Sequence, residues 1–287
     1  MSGADTGADL GPSGRAEPEG TLGTAGPGRI VRAVRTPERG RRAEILDAPD
    51  ADPGLACRSL RDVAVANRLF GGTRAVLAEL APVWRLLPSR ATLLDVGTGV
   101  GDIPARARVA AARHGIALDI VGLESTPALA ADSRAHAPLA VCGDARALPF
   151  ADRSVDIVTC SQVLHHFFDG DAQQIIVELN RVARTRVIVS DLRRSRIAAT
   201  GIWLASFLLA FHPVSRHDGV VSVMRGFRVD ELRELVQATV GAVPLVRYRI
   251  GARITASWRP MAEGASHAPA ATADAAPERR SGARAGT

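Results

Sequence analysis

The sequence contains no lysine: all 36 of its basic residues are arginine. Its high isoelectric point therefore reflects the guanidinium pKa more than an excess of charge, which is only +6. Residues 1–42 hold +2 of that and residues 262–287 none, which leaves +4 for the rest. Charge so thinly spread fits a solvated surface, and no nucleic-acid partner is expected. Cysteine is scarce as well. Cys57, Cys142 and Cys160 stand far apart without Cys-x-x-Cys spacing, which excludes a disulfide framework and a thiolate zinc site. No basic-then-apolar leader opens the chain, so a reducing cytoplasm is the expected location. Long apolar runs are missing too. The longest, Ile197 to Phe211, spans 15 residues, against the roughly 20 that a bilayer requires. No transmembrane segment is expected, and peripheral membrane contact stays open.

Large apolar side chains are few at both ends. Residues 1–42 and 262–287 are rich in Gly, Ala, Pro and charge and read as disordered tails, because they bury too little to offset ordering entropy. Between them, residues 43–90 read as an N-terminal helical cap and 91–261 as one α/β domain. In the cap, Leu60, Val63, Ala64, Asn67 and Leu69 recur near a 3.6 period, and Gly71-Gly72 separates that helix from a second over 73–86. Beyond Pro88 the pattern alternates: strands at 91–96, 117–123, 139–142, 154–160 and 186–190, with helices at 102–114, 127–132 and 171–183. Alternation of this kind predicts βαβ units, hence a doubly wound, mostly parallel sheet covered on both faces. Runs such as Ile157-Val158-Thr159-Cys160 suit strands buried on both sides. Val243–Ile250 and Arg253–Trp258 flank Gly251-Ala252 and read as a hairpin closing one sheet edge.

The strongest motif is Leu93-Leu94-Asp95-Val96-Gly97-Thr98-Gly99-Val100-Gly101-Asp102, an apolar strand running into a glycine turn that opens a helix. Glycines there admit positive φ and let a ligand approach the backbone. A dinucleotide fingerprint places its third glycine one position later, where this chain has Asp102. A carboxylate beside a pyrophosphate is repelled, whereas a cationic sulfonium without phosphate suits Asp95 and Asp102. The next strand ends at Glu124, 25 residues after Gly99. A carboxylate there can accept both hydroxyls of a ribose. After the third strand, Cys142-Gly143-Asp144-Ala145 offers an acid and a backbone N–H for an adenine edge.

With Ser154–Ser161 and Gln162-Val163-Leu164-His165-His166-Phe167 following, the order of motifs resembles the class I methyltransferases, and within them the ubiquinone/menaquinone-type small-molecule enzymes. The likeness is specific over roughly 90–191 and looser over 44–259. It implies a Rossmann-like sheet of seven strands with the last antiparallel, plus N-terminal helices, and S-adenosyl-L-methionine as cofactor. It also implies that Asp95, Gly97, Thr98, Gly99, Gly101, Glu124, Asp144, Ala145 and Ser161 hold that cofactor. Glu124 stands where Asp is commoner, and Val100 replaces a small polar residue.

The acceptor side is less determined. An oxygen nucleophile must lose a proton, and His166 is the first candidate base, with His217 beside Asp218 the second. His165-His166 also fits a packing role, and no nearby Cys, Asp or Glu in sequence makes them a metal site. Asp191 and the arginines 193, 194 and 196 could meet an acceptor or form a solvated loop. The run from Ile197 to Phe211 could roof an acceptor cavity, form a buried core helix, or make a dimer face; monomer and homodimer both remain open. Ser161-Gln162-Val163-Leu164 replaces the Asn/Asp-Pro-Pro-aromatic motif of base-amino methylation. The expectation is transfer of a methyl group to O or C of a small, lipophilic or aromatic metabolite. The alternatives are an NAD-dependent oxidoreductase and a non-enzymatic S-adenosylmethionine-binding protein.

Overall fold

A computed structural model describes residues 36–48, 50–137 and 139–261. The tail expected over 262–287, and most of that over 1–42, lie outside the described residues. From Arg39 onward the chain is fastened: the guanidinium donates to the Arg225 carbonyl (2.8 Å) and the Phe167 carbonyl (2.9 Å), and Gly40 N–H donates to the Met224 carbonyl.

Two helices come first, α1 (Pro53–Leu69) and α2 (Gly72–Leu80). The Asp52 side chain accepts from Leu55 N–H at 2.7 Å and Pro53 occupies the first turn, where its missing donor costs nothing. The second helix stops at Leu80, short of the expected residue 86, and a 3-10 turn at Trp84–Leu86 leads into the sheet. Then follow β1 (Arg90–Val96), α3 (Asp102–Ala112), β2 (Ala117–Glu124), α4 (Pro127–Ser133), β3 (Leu139–Cys142), β4 (Val155–Ser161), α5 (Asp169–Val182) and β5 (Ala183–Leu192). The last elements are α6 (Arg196–Leu208), α7 (Pro213–Arg225), α8 (Val229–Val240), β6 (Leu245–Arg249) and β7 (Arg253–Trp258).

The strands form one sheet in the order β3-β2-β1-β4-β5-β7-β6. Strands β1 to β5 are parallel, and β7 runs antiparallel to both β5 and β6. The strand order reverses between β1 and β4, and ligands of open α/β sheets bind at the carboxyl ends of the strands on either side of such a switch. Strand residues alternate between two cores. Leu94, Val96, Val158, Cys160, Val187 and Val189 face α5 and α8, while Ala91, Leu93, Ile157 and Ile188 face α2 and α3. On that second face the alternation also places Asp95, Thr159, Ser161 and Ser190, and in β7 Arg253, Thr255 and Ser257, whose hydroxyls the α2 residue Glu79 accepts. A polar stripe therefore crosses the sheet beneath α1 and α2.

The run from Ile197 to Phe211 is not a buried core helix. In α6 Ile197, Trp203, Leu204, Phe207 and Leu208 are exposed, Leu208 at 89%. Among the described residues, no helix is long and apolar enough to cross a membrane.

Candidate active site

The glycine turn joins β1 to α3 at the centre of the carboxyl edge. Gly97, Gly99 and Gly101 adopt φ of +69°, +59° and +75°, the left-handed region that side chains other than glycine avoid. Space is restricted as well: a Cβ on Gly97 would overlap Val163 Cγ2. Gly97 N–H and Thr98 N–H both donate to the Leu123 carbonyl, at 2.9 and 3.2 Å, and Gly143 N–H donates to the Glu124 carbonyl at 2.9 Å. The tips of β1, β2 and β3 are thereby stitched into one rim.

Three carboxylates gather at this rim. Asp95 is fully buried and accepts from the Thr98 hydroxyl (2.9 Å) and the Thr159 hydroxyl (2.6 Å). Burial outweighs those bonds, with help from the like charges of Asp102 and Glu124, and pushes the carboxyl up to about 7. Glu124, at the tip of β2, accepts from Gly99 N–H, and burial raises its pKa despite the bonds from Gly99 and Ser125. Burial likewise raises Asp102, at the start of α3. The turn is thus an acidic cradle with open backbone, suited to a cation and hostile to phosphate. Thr98 is turned inward and spends its hydroxyl on Asp95. Asp144 is exposed and holds Arg146 through a 2.8 Å ion pair, while Ala145 packs against the core beside it. Ser161 is buried, and its hydroxyl has no partner among the described residues. A cradle that Cβ atoms would fill, an unpartnered hydroxyl and a set of acids together fit S-adenosylmethionine.

On the other face of the sheet lies a second polar cluster. His165 is 2% exposed. Its Nδ1 is 2.7 Å from Asp191 Oδ1 and its backbone N–H donates to Asp191 Oδ2 at 3.1 Å. Glu44 Oε1 lies 3.6 Å from its Nε2. Burial opposes charge on this imidazole, but the Asp191 carboxylate and then Glu44 outweigh it and raise the ring to about 9. His166 is 30% exposed in its side chain, its Nδ1 held 2.8 Å from Asp47 Oδ1. Arg225 fastens the pair from behind, donating to the His165 carbonyl (3.1 Å), the His166 carbonyl (2.6 Å) and Asp47.

Acids absent from the local sequence thus arrive from far along the chain, which corrects the reason given against a metal site. Ligand atoms of Glu44, His165 and His166 lie within 4.8 Å of one another. Asp191 is fully buried, and its carboxylate is engaged with His165 and Leu192 N–H. Arg194 is buried and structural, donating to the carbonyls of Pro37 and Gly226 and to Glu231; Arg193 and Arg196 are exposed. His217 Nδ1 is 2.8 Å from Asp218 Oδ1, but Asp218 also accepts from Ile45 and Leu46 N–H and so anchors the turn bearing Asp47. A shallow cavity of about 390 Å³, lined by Arg39, Phe168, Phe227 and Glu231 among others, opens elsewhere, between α5 and α8, and contains none of the site residues named above.

Sequence reading missed Glu44, Asp47, Arg225 and Arg253. Only Arg253 left a signal, a charge opening a strand that the fold buries on both faces.

The methyltransferase-domain family model matches residues 94–189, the stretch holding the rim and the pair His165-His166. Among curated proteins, the chain is 32% identical over 134 residues to a bifunctional biotin-biosynthesis protein of Cellvibrio japonicus, covering 45% of this chain and 25% of that one. It is 34% identical over 104 residues to a demethylmenaquinone methyltransferase of Thermotoga maritima, covering 35% of this chain and 43% of that one. The chain therefore matches less than half the length of these relatives. An S-adenosylmethionine-dependent methyltransferase of Aquifex aeolicus shares the fold, at a TM-score of 0.50 and 14% identity, covering 74% of this chain and all of that one. A parallel sheet closed by one antiparallel strand, an acidic glycine rim at its switch point and a matching domain model converge on one stretch: residues 94–189 of this chain are a methyltransferase domain, set in a fold shared with an S-adenosylmethionine-dependent methyltransferase.

Proposed function

We propose that this protein transfers the methyl group of S-adenosylmethionine to an oxygen or carbon of a small acceptor of lipophilic or aromatic character. The observation carrying this reading is the rim itself, where three positive-φ glycines and three buried or half-buried carboxylates converge at the sheet's switch point. The cofactor supplies a methyl group already activated on a sulfonium, so the protein must chiefly hold acceptor and methyl in line.

On this reading Gly97, Gly99 and Gly101 give the ligand access to backbone, Asp95 and Asp102 set a negative field, and Glu124 exchanges its bond to Gly99 N–H for ribose hydroxyls. Asp144 and Ala145 border the adenine side, Ser161 the opposite end, and Thr98 acts through Asp95. For an O–H acceptor, His166 is the proposed base: Asp47 holds Nδ1, so Nε2 is the atom left to take the proton. His217 is the second candidate. The exposed apolar residues of α6 support a lipophilic acceptor.

Calorimetric titration with S-adenosylmethionine, S-adenosylhomocysteine and NAD tests the cofactor. The first two are expected to bind and NAD to leave no heat; NAD binding alone would overturn the reading. Methyl transfer to a panel of quinols, phenols and aromatic acids then separates an enzyme from a cofactor-binding protein without turnover.

A further inference from the structure

Arg253 opens β7, opposite Leu192 of β5, on the face of the polar stripe. It is 3% exposed, yet among the described residues Nε and Nη1 have no partner. Its one bond, from Nη2 to Asn67 Oδ1, is long at 3.4 Å, and that oxygen already accepts from Gln162 Nε2 at 2.5 Å. The neighbouring β6 arginines show the opposite arrangement. Arg247 and Arg249 are more exposed, and both pair with the buried Glu79. Among the described residues, the Glu79 carboxylate thus goes to the outer arginines and the enclosed one is left without an ion partner. A buried guanidinium without an ion partner is costly for a fold, and departures of this kind are expected at functional sites.

Its surroundings connect it to the rim. Gln162 follows β4 directly and holds a left-handed φ of 58°, a conformation uncommon outside glycine and frequent at functional sites. The next residue, Val163, packs on Gly97. One row below on the same face, the paired residues Ser161 and Ser190 carry buried hydroxyls that also lack partners among the described residues. Burial lowers the guanidinium to about 10, opposed by the fields of Asp191 and Asp102, so it is cationic at neutral pH. Those two acids oppose further negative charge, so a carboxylate, with one charge, is opposed less than a doubly charged phosphate. Each edge of the planar fork still offers a free donor, the geometry that carboxylates match.

We infer that Arg253, flanked by Asn67 and Gln162, is the receptor for a carboxylate that a ligand carries into this site. The inference rests on the cofactor reading of the rim. The carboxylate belongs either to the amino-acid end of the cofactor or to the acceptor.

Affinities of S-adenosylhomocysteine and of 5′-methylthioadenosine, which lacks the amino-acid end, are to be compared for the wild type, Arg253→Met and Arg253→Lys. If the cofactor supplies the carboxylate, the preference for S-adenosylhomocysteine falls at least about tenfold in Arg253→Met, as for a hydrogen bond to a charged group. Methylthioadenosine then binds unchanged, and Arg253→Lys recovers part of the loss. If the acceptor supplies it, that preference survives, and with S-adenosylhomocysteine bound the preference for 4-hydroxybenzoate over phenol falls instead. Survival of both preferences overturns the inference and leaves the cofactor reading intact. Failure of the wild type to bind either nucleoside sinks both. Ligand-free Arg253→Met is expected to melt no lower than wild type; a fall of more than about 5 °C would assign the guanidinium to the fold and also overturn the inference.

Discussion

At Gly99 the conformation, not the available space, is what excludes a side chain. A Cβ there would stand 3.6 Å from Leu60 Cδ2, an ordinary contact, but φ is +59°. Gly99→Val is therefore expected to distort the turn and abolish S-adenosylmethionine binding, with the sheet intact by circular dichroism; retained affinity would remove the glycine turn from the site. Glu124→Ala should weaken the cofactor by about 1.5–3 kcal/mol in calorimetry, the range for hydrogen bonds to a charged group. Asp95 makes a third test. Its carboxyl is raised to about 7, and a cationic ligand beside it favours the ionised form. Binding should then release a proton near pH 7, and the dissociation constant should fall as pH rises through that value. Titrations in buffers of different ionisation enthalpy would detect the proton, and their agreement would count against Asp95 sensing the ligand.

Two helices separate packing from display. In α2, Leu80 is fully buried, whereas in α6 Leu204 is 55% exposed. Leu80→Ala should cost about 2–5 kcal/mol in denaturant unfolding, and Leu204→Ala less than about 0.5 kcal/mol. A large loss at Leu204 would mean that α6 carries the fold. The alternating elements were legible in sequence because each buries a periodic face: strands β1 to β5 and helices α3 to α5 fall within a few residues of their expected positions. The helix ends and the fate of α6 were not. An apolar run of 15 residues reads the same whether buried or displayed, and only its neighbours decide.

At the scale of the whole molecule, His165 ties distant segments together, because Glu44 approaches it from the N-terminal side and Asp191 from β5. Its folded pKa, about 9, lies above the value near 6.5 expected when unfolded. The stabilisation it gives is complete below about pH 6.5 and is lost as pH rises through about 9. Asp191 is depressed by the same pair, so its share is lost only in acid. The melting temperature should therefore decline between about pH 6.5 and 9, and His165→Gln should flatten that slope; an unchanged slope would place the titrating group elsewhere. The sequence by itself determined the α/β order, the glycine turn and the acids at the strand tips, because these depend on local periodicity and on residues that a single turn brings together. Only the tertiary structure decided that Glu44, Asp47 and Arg225 enclose the two histidines, and that Arg253 is buried without a carboxylate partner among the described residues. Those outcomes depend on contacts between segments up to 186 residues apart, and such contacts leave no period in the chain.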